Sequence, residues 1–359
     1  MPDFSALAAQ LRQFAEFEVR EQSPLYEAIC YAIAEDDDLL ALVSLAGPGQ
    51  PPPNLILGVL HYLLDEHREA PLARYYASLG GLANPDAELG PALRAFCTDH
   101  RPQIARLMET RLVQTNEVRR SACVLIAAAV AANELGGAPL ALIEIGPSAG
   151  LNLNFDRYHY DYGNGLLSGP PQSACRIDCD ARGTLIADDV AMPTVASQIG
   201  LDIHPLDVGD ERDVRWLRAL LWPEDADRRA PFDAAVKIGR REPPLLISTD
   251  LFVALPPILA MVPAPGVPFV IASFVLHQFT PHMRDRLRLL LHEAGRRRPL
   301  YMMLFGFAEF VTGSRRAGPP QLWLIRFDAA GARARLLAHA SPHVRWLEFQ
   351  RDSEWQTLD

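Results

Sequence analysis

One stretch of the sequence decides the fold, Leu140–Gly150, which reads Leu-Ala-Leu-Ile-Glu-Ile-Gly-Pro-Ser-Ala-Gly. Its first six residues form a short apolar run interrupted only by Glu144, and such a run predicts a buried β-strand. The glycines at 146 and 150, with Ser148 between them, predict a tight turn leading from this strand into a helix. Small residues in such a turn allow backbone N–H groups and a helix N-terminus to approach a ligand closely.

Further short apolar runs follow this strand and alternate with helical or irregular stretches. They are Leu201–Ile203, Leu245–Ser248, Phe269–Ser273 and Tyr301–Phe305. Short buried runs separated by helices predict parallel strands covered on both faces. Two alternating segments, Gln321–Phe327 and Ala332–His339, predict an antiparallel hairpin that closes the chain. Residues 157–197 do not fit the alternation, and we expect an insertion with a small hairpin there.

Upstream of the decisive stretch, the spacing of apolar residues is helical and no strand pattern appears. An example is Ile56, Val59, Leu60 and Leu63 after a run of prolines. A length of 359 residues suits two units. We therefore predict an all-helical N-terminal unit over 1–114 and an α/β domain over 115–359. We expect the helical unit to act as a cap or lid, with a surface for a homodimer as the open alternative.

Composition argues against several classes of function. The chain has 34 Lys and Arg against 44 Asp and Glu, a net charge of −10 that repels nucleic acid and anionic lipid. No apolar run approaches the roughly 18 residues that a membrane span needs. The five cysteines are odd in number and scattered, which does not indicate a disulfide framework. We therefore expect a cytoplasmic protein with a small-molecule substrate, no nucleic-acid or membrane partner and no metal site.

Candidate polar residues follow several of the predicted strands. Asp202 lies in or at the end of the second strand, where a carboxylate can accept hydrogen bonds from a ribose diol. It follows Gly150 by 52 residues, against roughly 20 in most nucleotide folds, so the insertion must loop out. Asp178, Asp180 and Asp207 are alternatives for the same role. Ser273 and His277 leave the fourth strand toward the carboxyl edge, and His277 is predicted to be either a general base or a hydrogen-bonded helix residue.

Glu144, Gly146 and Gly150 together resemble the first motif of class I methyltransferases, an acid followed by alternating glycines, with Ser148 replacing the middle glycine. Five parallel strands and a closing hairpin are also similar to the Rossmann-like, mostly parallel seven-stranded sheet of that family. The resemblance implies S-adenosylmethionine as cofactor. It implies that Glu144, Gly146, Ser148 and Gly150 bind the methionine end, Asp202 the ribose and Asp250 the adenine, with Ser273 in the cofactor site. His277 would lie nearest a small-molecule methyl acceptor.

Two other classes of function compete with methyl transfer. Gly146–Gly150 also fits the G-x-S-x-G turn of serine hydrolases, and Ser148, Asp250 and His277 occur in the hydrolase order. Against this, about 135 residues of helical pattern precede the motif, whereas several strands precede it in α/β-hydrolases, and no HGGG-type segment is present. A non-catalytic metabolite-binding protein with the same fold is the other alternative, and the serine at 148 favours it.

Several stretches together resemble an uncharacterised bacterial family known only as a domain of unknown function, number 2332. They are Leu57–Leu64, Val113–Val118, Ile143–Tyr158, Gly200–Val208 and Leu220–Pro223. The likeness spans nearly the whole chain but implies no activity.

Overall fold

The computed structural model describes residues 3–20, 22–313 and 318–358, and the chain divides into two units. The first comprises Met1–Thr115 and Asp210–Arg229, and the second comprises Asn116–Gly209 and Ala230–Asp359. The segment Asp210–Arg229 thus belongs to the first unit, although the sequence pattern places it in the second domain.

In the described part of the first unit, every regular element is helical. The α-helices are α1 (Ser5–Phe14), α2 (Pro24–Ala34), α3 (Asp37–Val43), α4 (Pro52–Leu64), α5 (Leu89–Asp99), α6 (Arg101–Thr110) and, after the second unit has begun, α8 (Glu211–Ala219). A π-helix (Ala15–Val19) and two 3-10 helices (Pro71–Tyr75 and Ala77–Leu79) complete the set. The start of α9 (Ala226–Arg241) also belongs here.

Local chemistry fixes where these helices begin and how closely they pack. Ser23 accepts a hydrogen bond from the Tyr26 N–H at 3.1 Å and so caps α2. Asp36 caps α3 by accepting from two backbone N–H groups. Within α4, a Cβ on Gly58 would stand 2.8 Å from the Leu220 side chain. Glycine at this position therefore allows the segment from the second half of the chain to lie directly against α4.

The second unit contains all the strands found in the described residues. In chain order they are β1 (Leu140–Ile145), β2 (His159–Asp161), β3 (Leu167–Ser168), β4 (Arg176–Asp178), β5 (Asp180–Arg182), β6 (Val195–Asp202), β7 (Leu245–Ser248), β8 (Val267–Ser273), β9 (Leu300–Gly306), β10 (Gln321–Asp328), β11 (Gly331–Ala340), β12 (Trp346–Phe349) and β13 (Gln356–Leu358). Its α-helices are α7 (Ser121–Glu134), most of α9, α10 (Leu251–Met261), α11 (Pro281–Arg297) and α12 (Glu309–Thr312).

One large mixed sheet organises this unit. Five neighbouring strands, β7-β6-β1-β8-β9, are parallel, and β10 and β11 continue the sheet as the predicted antiparallel hairpin. The sheet has ten strands, three more than the seven predicted. The chain continues past the hairpin, where β12 and β13 both pair with β11, and β5 from the insertion pairs with β12. The protein therefore has a mixed α/β architecture.

Helices cover both faces of the sheet. On one face, Ile143 and Ile145 pack in a core with Leu255 of α10 and Leu287 of α11. On the other face lies α7, whose residues Ser121–Ala132 are all buried, and Glu134 at its end accepts a hydrogen bond from the Tyr301 hydroxyl of β9 at 2.9 Å. The broad apolar character of α7 thus reflects burial on all sides. No helix in the described residues has the length and apolarity needed to cross a membrane.

The insertion is anchored by its tyrosines. The strands β3, β2 and β4 form a separate small sheet, in which β2 pairs antiparallel with β3 and parallel with β4. The hydroxyls of Tyr158, Tyr160 and Tyr162 donate to the carbonyls of Leu151, Phe155 and Ala122 at 2.6, 2.9 and 2.8 Å. These buried side chains tie the small sheet to the segment after the glycine turn and to α7.

Candidate functional site

The turn after β1 has the left-handed backbone that its glycines predict. Gly146, Ser148 and Gly150 have φ angles of +65°, +56° and +70°, a region that glycine adopts readily and other residues rarely. The chain then forms 3-10 turns over Leu151–Arg157, interrupted by a kink at Asn154, rather than an α-helix. The strand-to-turn prediction is confirmed, and the helix that follows is shorter and tighter than expected.

Four backbone N–H groups in and directly after this turn are hydrogen-bonded within the protein. Gly146 donates to the Leu201 carbonyl and Gly150 to the Pro147 carbonyl, both at 2.9 Å. Ser148 donates to Oδ2 of Asp202 at 3.0 Å. The next N–H, that of Leu151, donates to Oδ1 of Asn116 at 3.1 Å. The turn therefore uses these donors to hold its own shape.

Asp202 lies beside the turn. It is the last residue of β6, which pairs in parallel with β1 so that Leu201 stands opposite Ile145. Its second carboxylate oxygen, Oδ1, accepts from the His204 N–H at 2.9 Å. The long separation in sequence is absorbed by the insertion, as predicted, and the carboxylate and the glycine turn come into direct contact.

The three alternative aspartates differ in their positions. Asp207 follows close to the turn, because the N–H of its neighbour Leu206 donates to the Ser148 carbonyl at 3.1 Å. Asp178 lies in β4 of the small sheet, and Asp180 begins β5 at the far edge of the large sheet. Of these three, Asp207 has a backbone neighbour bonded to the turn.

Glu144 is a buried acid beneath the same turn. Its side chain is 3% exposed, and its Oε2 atom has no hydrogen-bond partner in the described structure. Gly200 of β6 stands opposite Glu144, so the Glu144 and Asp202 side chains point to the same face of the sheet. Burial, with a further contribution from the Asp202 charge, raises the pKa of Glu144 to about 8. At neutral pH this carboxyl is therefore mainly protonated.

Ser273, at the end of β8, shares that face. Ile271 stands opposite Glu144, so the residue two positions further on, Ser273, projects to the same side at the carboxyl edge. Its buried hydroxyl has no hydrogen-bond partner in the part of the chain that the structure describes. His277 follows in a short 3-10 turn, Leu276–Gln278, and is exposed.

Asp250 lies next to the end of β6 but is used locally. The N–H of its neighbour Thr249 donates to the backbone carbonyl of Asp202 at 2.8 Å. Its own carboxylate is exposed and caps α10 by accepting from the Phe252 N–H at 2.7 Å. The residues predicted for the site therefore come from the ends of β1, β6, β7 and β8 at one edge of the sheet.

The two glycines of the turn have a packing reason of their own. A Cβ at Gly146 would stand 2.7 Å from the Val275 side chain, and one at Gly150 would stand 2.9 Å from the side chains of Leu246 and Pro244. Protein side chains thus occupy the space that these glycines leave open. A ligand at this edge would therefore contact polar groups and not open space beside the glycines.

A second polar cluster near the turn was only partly visible in the sequence. Next to Asn116, the buried Glu117 accepts from the Arg119 N–H at 3.2 Å, and its other oxygen lies 3.2 Å from Nδ1 of His343. The guanidinium of Arg120 lies 4.0 Å from the centre of the ring of Phe274, the residue that follows Ser273 in the sequence. The sequence signal for this cluster was limited to the polar residues before α7, because no local sequence pattern connects these residues to His343.

Other predicted features can be placed briefly. All five cysteines are free and buried, and burial raises the pKa of the Cys175 and Cys179 thiols to about 12. Among the residues that the structure describes, no group of three or more His, Cys, Asp or Glu side chains is placed to hold a metal ion.

Comparison with known proteins identifies a family. The family model described as an uncharacterised protein conserved in bacteria (DUF2332) matches residues 8–349. Neither the curated proteins nor the solved structures contain a match to the chain. The resemblance noted in the sequence is thereby confirmed, and the chain belongs to this bacterial family of unknown function.

Proposed function

We propose that the α/β unit is a Rossmann-like, S-adenosylmethionine-dependent methyltransferase that acts on a small-molecule acceptor. The balance of hydrogen-bond donors and acceptors at the carboxyl edge carries this proposal. The N–H groups of Gly146, Ser148 and Gly150 donate within the protein. In contrast, Oε2 of Glu144 and the Ser273 hydroxyl have no partner in the described structure. The edge is therefore rich in acceptors and poor in donors.

Such an edge suits a ligand that carries positive charge and donates hydrogen bonds. A phosphate needs several N–H groups or cations directed toward it, whereas the N–H groups of Gly146, Ser148, Gly150 and Leu151 are already committed. An ammonium and a ribose diol need acceptors, which carboxylates and hydroxyls supply. S-adenosylmethionine has both groups and, when bound, supplies a methyl group on a positively charged sulfonium. The residues at the edge fit this cofactor at its amine and its diol.

The strand order supports the same proposal. The chain runs from the central β1 outward to β6 and β7, and then returns to the other side of β1 for β8 and β9. In open α/β sheets, ligands bind at the carboxyl ends of the strands where the order reverses in this way. Glu144, Asp202 and Ser273 lie at this point, on β1 and its two neighbours. The β10–β11 hairpin then extends the sheet beyond β9.

Each residue has a proposed task. Asp202, held in position by two backbone N–H groups, accepts from the ribose hydroxyls. Glu144, whose Oε2 has no partner in the described structure, lies toward the ammonium, and that cation favours its ionised form. Asp250 lies toward the adenine and Ser273 toward the cofactor's polar end. His277, which is exposed, takes a proton from the acceptor, while alignment of the reacting groups provides about 7–11 kcal/mol of the barrier reduction.

Calorimetric titration with S-adenosylhomocysteine tests the proposal. We expect saturable binding to the wild-type chain and about tenfold weaker binding to Asp202→Asn, because a hydrogen bond to a charged group contributes roughly 1.5–3 kcal/mol. The matched control is Asp178→Asn, an exposed aspartate of the small sheet, which should bind as the wild type does. Absence of heat with the wild type, or equal loss in both variants, contradicts the proposed site.

One observation favours serine hydrolysis as a second candidate. Ser148 has a left-handed backbone in the middle of a G-x-S-x-G turn, as a nucleophile in a strained strand-to-helix turn does. However, Ser148 is 5% exposed and β1 is the first strand of the chain. Labelling with a fluorophosphonate separates the two functions. A methyltransferase is not labelled, whereas labelling that Ser148→Ala abolishes and Ser248→Ala preserves would establish the hydrolase.

A further inference from the structure

The helical unit contains a cavity with an unusual wall. Residues of α4, α6 and α8 line a space of about 590 Å³, a size typical of small-molecule sites. Four arginines line it, Arg106, Arg111, Arg212 and Arg215, together with one carboxylate, Glu66. Asp213, Asp210 and Asp65, beside the cavity, pair with three of these arginines, so that Arg106 is the lining arginine without a described ion pair. The chain as a whole has a net charge of −10. A group of four arginines around one cavity therefore contrasts with the acidic composition of the protein.

Two of these arginines are fixed in place by an aromatic ring and by acids. The guanidinium of Arg215 lies 4.5 Å from the centre of the Tyr62 ring and 2.6 Å from Glu66. The guanidinium of Arg111 lies 5.7 Å from the same ring and 3.1 Å from Asp213. Because both side chains are held before a ligand arrives, binding costs little side-chain entropy.

The other two arginines have donors to offer. Arg106 is exposed and forms no ion pair with any described residue. Arg212 pairs with Asp210 through Nε and Nη2, and its Nη1 has no partner in the described chain. Guanidinium groups bind carboxylate and phosphate oxygens in a planar, two-pronged geometry. The cavity thus combines unused cationic donors with an aromatic wall.

We propose that this cavity binds a small organic anion. An oxyanion head, carboxylate or phosphate, interacts with Arg106, Arg111 and Arg212, and an apolar or aromatic body packs against Tyr62. This ligand is distinct from the cofactor proposed for the α/β unit, since the charge of the wall selects an anion and not a cation.

Four probes test the charge and the apolar body separately. Calorimetric titration of the full chain with phenyl phosphate and with benzoate should show saturable binding of at least one, and the stronger of the two identifies the preferred head. Benzyl alcohol, which has the same ring without charge, should not bind, and inorganic phosphate should bind more weakly than phenyl phosphate. Binding of benzyl alcohol as tight as that of the anions would contradict the proposal, as would the absence of binding by both anions.

Variants locate the site. Arg106→Gln and Arg212→Gln each remove an exposed side chain and should leave the fold intact. Each should weaken binding of the preferred anion by about three- to tenfold. Arg20→Gln is the matched control, because Arg20 is an exposed arginine of the same unit with a distant partner, 3.9 Å away. Unchanged affinity in both test variants, or the same loss in the control, overturns the assignment.

Discussion

Replacement of Glu144 by glutamine should change how stability depends on pH. Glu144 is buried and its folded-state pKa is about 8, whereas its ordinary value is 4.5. Between these two values the unfolded chain releases the proton and the folded chain keeps it. The free energy of unfolding therefore falls as pH rises, by about 1.4 kcal/mol per pH unit. Glutamine has nearly the same shape but cannot ionise, so the stability of Glu144→Gln should not show this decrease with rising pH.

The size of the effect follows from the two pKa values. From pH 5 to pH 7 the wild-type chain should lose about 2.5 kcal/mol that the variant retains. For a unit of this size, a change of about 1 kcal/mol in the free energy of unfolding shifts the thermal midpoint by about 2–4 °C. Between pH 5 and pH 7, the thermal midpoint of Glu144→Gln relative to that of the wild type should therefore rise by about 5–10 °C. Glu348→Gln, which changes an exposed glutamate of the same sheet, should track the wild type. If the thermal midpoints of Glu144→Gln and the wild type differed by the same amount at all pH values, Glu144 could not be buried and protonated as described.

Other predictions concern the helical unit. Burial, with the nearby Arg229 charge, lowers the pKa of His61 to about 4, so the unfolded chain alone binds this proton below pH 6.5. Stability should therefore fall as pH drops from 6.5 to 4, and His61→Gln should lack this component in unfolding midpoints measured against pH. Gly58→Ala should destabilise by about 1–2 kcal/mol through overpacking, whereas Gly90→Ala, with nothing within 4 Å of the new Cβ, should stabilise by up to about 1 kcal/mol in denaturant titrations. Asp36→Ala removes a cap with two bonds and should cost about 1–2 kcal/mol by the same titration.

The strands β1, β8 and β9 were predictable because burial on both faces leaves a continuous apolar signal. The bounds of β1 and β7 agree with the apolar runs, and the contact of Asp202 with the turn follows from parallel pairing. β6 begins at Val195, six residues before the predicted run, because its first half is exposed or only partly buried and includes the polar residues Ser197 and Gln198. No apolar run marks that half.

What the sequence did not reveal depends on contacts between distant residues. The segment Asp210–Arg229 has an ordinary helical pattern, and its place in the first unit depends on packing against Gly58. The contact of Glu117 with His343 joins residues more than 200 positions apart. The packing of Val275 against Gly146 is equally invisible locally. Residue patterns predict which elements form, but a specific pair of side chains across the fold leaves no local signal.

Proton release during ligand binding tests the central claim most directly. Titration of S-adenosylhomocysteine into the wild-type chain at pH 7, in two buffers with different ionisation enthalpies, measures the protons exchanged. If the ammonium group of this ligand binds above Glu144, ionisation of the Glu144 carboxyl should release up to about one proton per ligand, and Glu144→Gln should release none. Binding without proton release in the wild type, or equal release in the variant, would contradict the account.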